Sequence, residues 1–286
     1  MSRTASRYAV RDRNRLLDPA ADAHQIYRDM ALIDFPSDMK LGLHLAFYRS
    51  FIIPGIAELL ARTGEIQAHT DKRTMDTGLL MYELIYGGTE SERGRQVIAM
   101  LNRMHHRYDI PADQYQYILA TFVVQPTRWI EQAGWRPIEP VEREASAQFY
   151  GRVGKLMAIR DIPDTFADFD SFLVDYERQH AGRSDAALQL MAASQMTFAN
   201  RLPTRLQGLS DPLVAAMTDE PTVLEALGLS RAPRWLRAAV HGGLGARKII
   251  TRHRPPLTES AFTPGHHGRD QYPGGYQLEE LGVQPS

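Results

Sequence analysis

From Leu41 onward apolar side chains return every three or four residues, and this helical beat limits the chain's possible folds more than any other feature. Leu41, Leu45, Tyr48 and Ile52 form one stripe, followed by Ile56, Leu59 and Leu60. An α-helix completes a turn in about 3.6 residues, so positions spaced this way share a face and bury together. The punctuation between stripes agrees. Pro54-Gly55 bends or restarts the first helix, and Gly64 is placed to end it. Thr70 or Asp71 suits the cap of a next helix carrying Leu80, Met81, Leu84 and Ile85 and stopping at Gly87-Gly88. Ser91, flanked by Glu90 and Glu92, opens a third over 91–109, through Val97, Leu101 and His105. Asp113 opens a fourth, Tyr115 to Val124, whose nearly continuous apolar content marks it as central.

Further helices are expected near Asp22–Ile33, at 140–158, 165–180 and 184–199, with a shorter set over 211–250. No run alternates long enough to demand a strand, so the expected fold class is all-α. Three parts follow: a polar entry segment, 1–34; a helical domain, 35–250; and a Pro- and Gly-rich tail, 251–286, expected to be extended.

Composition narrows the chemistry. The 286 residues contain no cysteine, which removes disulfides, thiolate-ligated haem, iron–sulfur clusters and a cysteine nucleophile. Any metal must therefore rest on histidine and carboxylates. Lys and Arg number 33 against 34 Asp and Glu, so no global field favours nucleic acid. Met1 to Leu17 carries five Arg and no apolar core, unlike a secretory signal. Apolar stretches such as Tyr117 to Val124 fall short of a membrane span. The expectation is a soluble cytoplasmic protein with no integral membrane segment.

Two constellations stand out. In His105-His106-Arg107-Tyr108, stepping back by four from His105 reaches Leu101 and Val97, an apolar stripe. From His106, helical steps of four, three and four reach Asn102, Ala99 and Arg95, a polar one. His105 is thus the inward residue, either a core histidine or a ligand. Arg73 and Thr77, four apart, share a face beside Leu80, Met81 and Leu84. They suit a pocket for something polar, or equally a helix start where Arg73 pairs with Asp76 and Thr77 bonds its own backbone. Weaker patterns are Glu177-x-x-His180, half of a di-iron motif, and His266-His267 in the tail.

The order Arg73-x-x-Asp76-Thr77, Tyr86-Gly87-Gly88, His105-x-x-Tyr108, Ala120-Thr121-Phe122 resembles the latex-clearing-protein (rubber oxygenase) and MpaB-type oxygenase family. Pro126-Thr127-Arg128-Trp129, Gly134-Trp135-Arg136-Pro137 and Asp161-Ile162-Pro163 look like its short soluble branch. The resemblance implies a globin-reminiscent helical domain around haem b, with His105 as the iron ligand. It implies a distal group of Arg73 and Thr77, with the Thr121 hydroxyl and Asp76 also at the cofactor. Rubber oxygenases carry a lysine, able to cap the iron, where this chain has Asp76. A catalytic base is expected on Glu58, with Glu65 equally suited by position. The implied partners are dioxygen and a small apolar, unsaturated substrate. The family's best-known members are secreted or membrane-bound, but an extracellular polyisoprene is not implied here. Two other readings stand beside this one, a haem-binding sensor or carrier without turnover and a cofactor-free helical interaction module.

Overall fold

The structure, a computed structural model, describes residues 6–200, 204–268 and 271–282. The first and last residues of the entry segment and tail, 1–5 and 283–286, therefore lie outside the described residues. Thirteen α-helices and no strand occur among the described residues, so the chain is all-α. Their ranges are α1 Ala9–Asn14, α2 Ala23–Asp29, α3 Pro36–Arg49, α4 Pro54–Thr63, α5 Glu65–Gly87, α6 Glu92–His105 and α7 Ala112–Ala133. Then come α8 Pro140–Leu156, α9 Phe166–His180, α10 Asp185–Asn200, α11 Ser210–Thr218, α12 Pro221–Ala226 and α13 Arg234–His253.

The caps are local chemistry. Gly64 ends α4 with φ 68°, a left-handed conformation that a side chain would strain. Ser91 accepts a 2.9 Å bond from the Gly94 backbone and starts α6. Thr165 and Asp168 form a reciprocal capping box at the start of α9. Inside α5 the helix breaks at His69 (φ −139°, ψ 46°), one residue before the expected caps Thr70 and Asp71. Thr70 turns its hydroxyl back to the Ile66 carbonyl.

The central helix is α7, which α3, α8 and α9 pack around. Val123, Val124, Trp129, Ile130 and Ala133 are all buried along it. It runs well past the expected end at Val124, because Pro126 sits inside the helix without stopping it. Gly42 of α3 is seated against that proline, and a Cβ there would come within 2.5 Å of Pro126 Cα. Gly42→Ala is expected to cost about 1–3 kcal/mol through overpacking and to lower the thermal midpoint by several degrees. An unchanged melting curve would show that the α3–α7 contact has slack.

The tail is not loose. Among the described residues, apart from a 3₁₀ turn at Leu278–Glu280, it has no helix after α13, as expected. Yet Phe262, Tyr276, Leu278 and Leu281 are buried, and the segment straps across α5. No single helix among the described residues is long and apolar enough to cross a membrane. Pro36–Ile52 and Pro54–Thr63 pass that test only as a pair bent by 100°, and Phe51, Ile52, Ile53 and Ile56 at the bend are core residues.

Candidate active site

A cavity of about 240 Å³ opens between α3, α4, α5, α6, α7 and α8. Its walls are chiefly aliphatic and aromatic: Phe47, Ile56, Leu80, Leu101, Phe122 and Val153 represent the helices that build it. A small set of polar groups converges on this apolar space, an arrangement typical of small-molecule sites.

His105, in the last turn of α6, is one of them. It is half-buried and lines the cavity, while His106, one residue on, is exposed. Adjacent helical residues point about 100° apart, so only one of the two addresses the cavity. His105 Nδ1 lies 2.7 Å from the Leu101 carbonyl oxygen. A carbonyl can only accept, so Nδ1 carries the ring proton and Nε2 keeps its lone pair. Burial, followed by the nearby charges of Arg73 and His106, pushes the imidazole below its ordinary pKa and keeps it neutral. Tyr115 packs its ring 5.7 Å from the His105 ring and also lines the cavity. The helix itself stops at His105, four residues short of the expected 91–109, and exposed Tyr108 reaches the cavity from the following turn.

Arg73 and Thr77 both line the cavity from α5. Arg73 Nη1 donates to Thr77 Oγ1 at 2.5 Å, and the Thr77 hydroxyl donates to the Arg73 carbonyl at 2.9 Å. Thr77, itself anchored to the Arg73 backbone, therefore holds the guanidinium by one nitrogen. Burial lowers the proton affinity of Arg73 without neutralising it. Among the described residues Arg73 makes no ion pair, so a fixed positive charge faces an apolar cavity with no carboxylate bound to it.

The other expected residues divide. Thr121 is buried and lines the cavity from α7, but its hydroxyl proton goes to the Ile118 carbonyl at 2.7 Å. Only its oxygen lone pairs remain for a ligand. Asp76 does not reach the cavity. It is buried on a neighbouring face of α5, held by Lys72 Nζ and the Tyr272 hydroxyl at 2.6 Å each and by the Gly282 amide at 2.8 Å. Glu58 is exposed: α4 turns Ile56, Leu59, Leu60 and Thr63 to the cavity, which leaves Glu58 facing out. Glu65, just after the Gly64 turn, lines the cavity instead.

Sequence reasoning missed Arg107 and Gln114, which also line the cavity. Both lie at the α6–α7 junction, where helical phase gives no guidance. The competing constellations have other work. Glu177 pairs with Arg49 at 2.7 Å and accepts from the Tyr117 hydroxyl at 3.0 Å, while the His180 ring packs, tilted, 4.3 Å from the Tyr176 ring. His267 engages the Ala261 carbonyl at 3.0 Å within its own loop.

Residues 39–248 match the family model described as "ER-bound oxygenase mpaB/B'/Rubber oxygenase, catalytic domain". The "ER-bound oxygenase mpaB'" of Penicillium brevicompactum is 23% identical over 328 aligned positions, covering 91% of this chain and 77% of that protein. The "ER-bound oxygenase mpaB" of Penicillium roqueforti (strain FM164) is 31% identical over 144 positions, 48% of each chain. That of Penicillium brevicompactum is 31% identical over 145 positions, so the chain spans 37% of its length.

Proposed function

As a member of the mpaB/rubber oxygenase catalytic-domain family this chain is an oxygenase, and we propose that it depends on haem b and acts on an apolar, unsaturated small molecule held in the cavity. One observation carries the reading: a neutral, cavity-facing His105 whose Nδ1 is committed to Leu101, beside an Arg73 that makes no ion pair among the described residues.

The donor set fits haem. Histidine ligands of metals commonly donate their second nitrogen to a carbonyl, which fixes the tautomer and aims the other nitrogen at the metal. His105 has that arrangement, so Nε2 would hold the iron. When bound, haem would supply the one-electron chemistry that makes dioxygen reactive toward a carbon–carbon double bond.

The chain's own residues do the rest. Arg73, held by Thr77, offers a preorganised positive charge to oxygen atoms that gain negative charge, in a site where apolar walls strengthen the interaction. The Thr121 oxygen adds an acceptor. Asp76 stands where rubber oxygenases have a lysine, but it is bonded away from the cavity, so α5 presents Arg73 and Thr77 to the cofactor and no capping side chain. Glu65 takes the role of base in preference to Glu58, since it alone of the two lines the cavity. The aliphatic and aromatic wall desolvates an apolar substrate and keeps water from the reacting atoms. A cytoplasmic setting belongs to the same proposal, and a chain without cysteine needs no oxidising compartment.

The test is spectroscopic, then kinetic. Protein purified from cells supplied with a haem precursor is expected to be red-brown with a Soret band, and to consume dioxygen when given apolar alkenes. A colourless protein that takes up no added haem would overturn the haem assignment. A stable Soret band without oxygen uptake across an alkene panel would leave a carrier or sensor in its place.

A further inference from the structure

The last long helix, α13 (Arg234–His253), has an outward face that its own fold leaves open. Leu236, Val240 and Leu244 point inward. Arg237 and Arg247 also point inward, pairing with Asp219 at 3.1 Å and Asp38 at 2.6 Å. At about 100° per residue, the opposite face is formed by Trp235, Ala238, Ala239, Gly242, Ala246, Ile249 and Ile250, with His253 at its C-terminal end. All but His253, in the last turn, are apolar. Trp235 is 62% exposed, Ile249 64% and Ile250 54%, and Leu257 just beyond the helix is 45% exposed. Gly242, Gly243 and Gly245 have open space where a Cβ would stand. A surface helix of a soluble domain normally turns polar residues outward, so this face is inverted.

The rim is charged, and with one sign only. Arg234, Lys248, Arg252 and Arg254 border the strip, and residues 234–254 contain no Asp or Glu. Those four cations make no ion pair among the described residues. An apolar strip anchored by tryptophan at one end and isoleucines about 21 Å away, edged by cations, has the composition of a helix lying in a lipid interface.

We propose that α13 docks the protein on an anionic membrane surface, with Trp235, Ile249 and Ile250 in the acyl boundary and Arg234, Lys248, Arg252 and Arg254 on lipid phosphates. Charge decides against a second copy of the chain as occupant. Two α13 faces paired antiparallel bring Arg234 against the Arg252–Arg254 end, and paired parallel bring each arginine against itself. Anionic headgroups neutralise the same rim, and long cationic side chains reach them while their stems lie along the apolar strip. The inference is independent of the cofactor, since it concerns a surface remote in sequence from His105, Arg73 and Thr77.

The three tryptophans make the test direct. Trp129 and Trp135 are 2% and 5% exposed, so Trp235 is the one that can report on a change of surroundings. The full chain is mixed with phosphatidylcholine vesicles, with or without phosphatidylserine. Sedimentation with the phosphatidylserine vesicles, weakened by salt, and a blue shift of tryptophan emission are expected. Trp235→Phe should still bind but lose the shift. Trp235→Ser with Ile249→Ser should weaken partitioning at least about tenfold. Arg234→Gln with Arg252→Gln should weaken it about fivefold per charge and flatten the salt dependence. All these positions are exposed, so an unchanged circular dichroism spectrum confirms that the variants fold. Absence of binding to either vesicle, or binding unaffected by the Trp235/Ile249 variant, would overturn the proposal. So would a dimer in solution that the Trp235/Ile249 variant dissociates, which would give the face to a second copy.

Discussion

His105→Ala protein is expected to fold normally and to carry at most about a tenth of the haem of the parent, with its Soret band correspondingly lost. Among the described residues the substitution removes the one imidazole that lines the cavity, and with it the Nε2 lone pair. What it costs the fold is small. The Nδ1 bond to Leu101 is a single helix-end interaction, contributing about 0.5–1.5 kcal/mol. The helix keeps its anchors at Val97 and Ile98, which are buried, and its Ser91 cap. His106→Ala is the matched control: exposed and turned from the cavity, it should leave haem content and melting temperature unchanged. The measurement is haem per chain by pyridine haemochrome, alongside circular dichroism. Full occupancy in the His105 variant, or loss confined to the His106 variant, would refute the assignment of the ligand.

Arg73→Ala separates site from scaffold in the same assay. It deletes a cavity charge without touching His105, so it should spare haem binding more than it spares oxygen uptake.

The features that were legible in the sequence are those set by helical phase within one helix. His105 against His106 is a choice between two stripes of α6, and Arg73 with Thr77 is a four-residue step on α5. Both survive in the structure as residues on the cavity wall. Phase also fails in identifiable places. Glu58 and Glu65 are separated by the left-handed Gly64 and followed by the break at His69, so no single helical wheel relates them. Asp76 adjoins Thr77 in sequence but sits one helical step around, and its partners Tyr272 and Gly282 come from the tail about two hundred positions later. No local pattern announces a contact of that range. Pro126 illustrates the opposite error, a local stop signal overridden because the surrounding helices bury both halves of α7. The tail has no period, so its aromatic anchors Phe262 and Tyr276 were invisible, although Tyr276 donates a 2.5 Å bond to the buried carboxylate of Glu83.

The largest stability effect should come from Arg136, far from the cavity. Its guanidinium bridges two elements that the chain brings together from opposite sides. Nε and Nη2 donate to Asp34 Oδ2 at 3.0 and 2.6 Å, and Nη1 and Nη2 donate to the two Glu142 oxygens at 2.8 and 2.6 Å. Asp34 ends the π-helical turn after α2, and Glu142 lies in the first turn of α8. All three side chains are buried, with Arg136 itself only 4% exposed. Arg136→Met keeps much of the volume but strands two buried carboxylates, and breaking such a network from one side costs about 3–5 kcal/mol. The loss should depend on pH in a defined direction. Burial already raises the Asp34 pKa, and Arg136 is the largest influence opposing that rise. Without the arginine the folded-state pKa climbs further above its unfolded value. A carboxyl in that state binds protons more tightly when folded, so the variant is most stable at acid pH. Its stability then falls as pH rises above the ordinary aspartate range of about 4. Urea melts of both proteins between pH 4 and 8 should show the deficit widening with pH. A constant deficit would assign the effect to lost packing, and no deficit at pH 7 would mean that the Asp34–Arg136–Glu142 network carries no net stability.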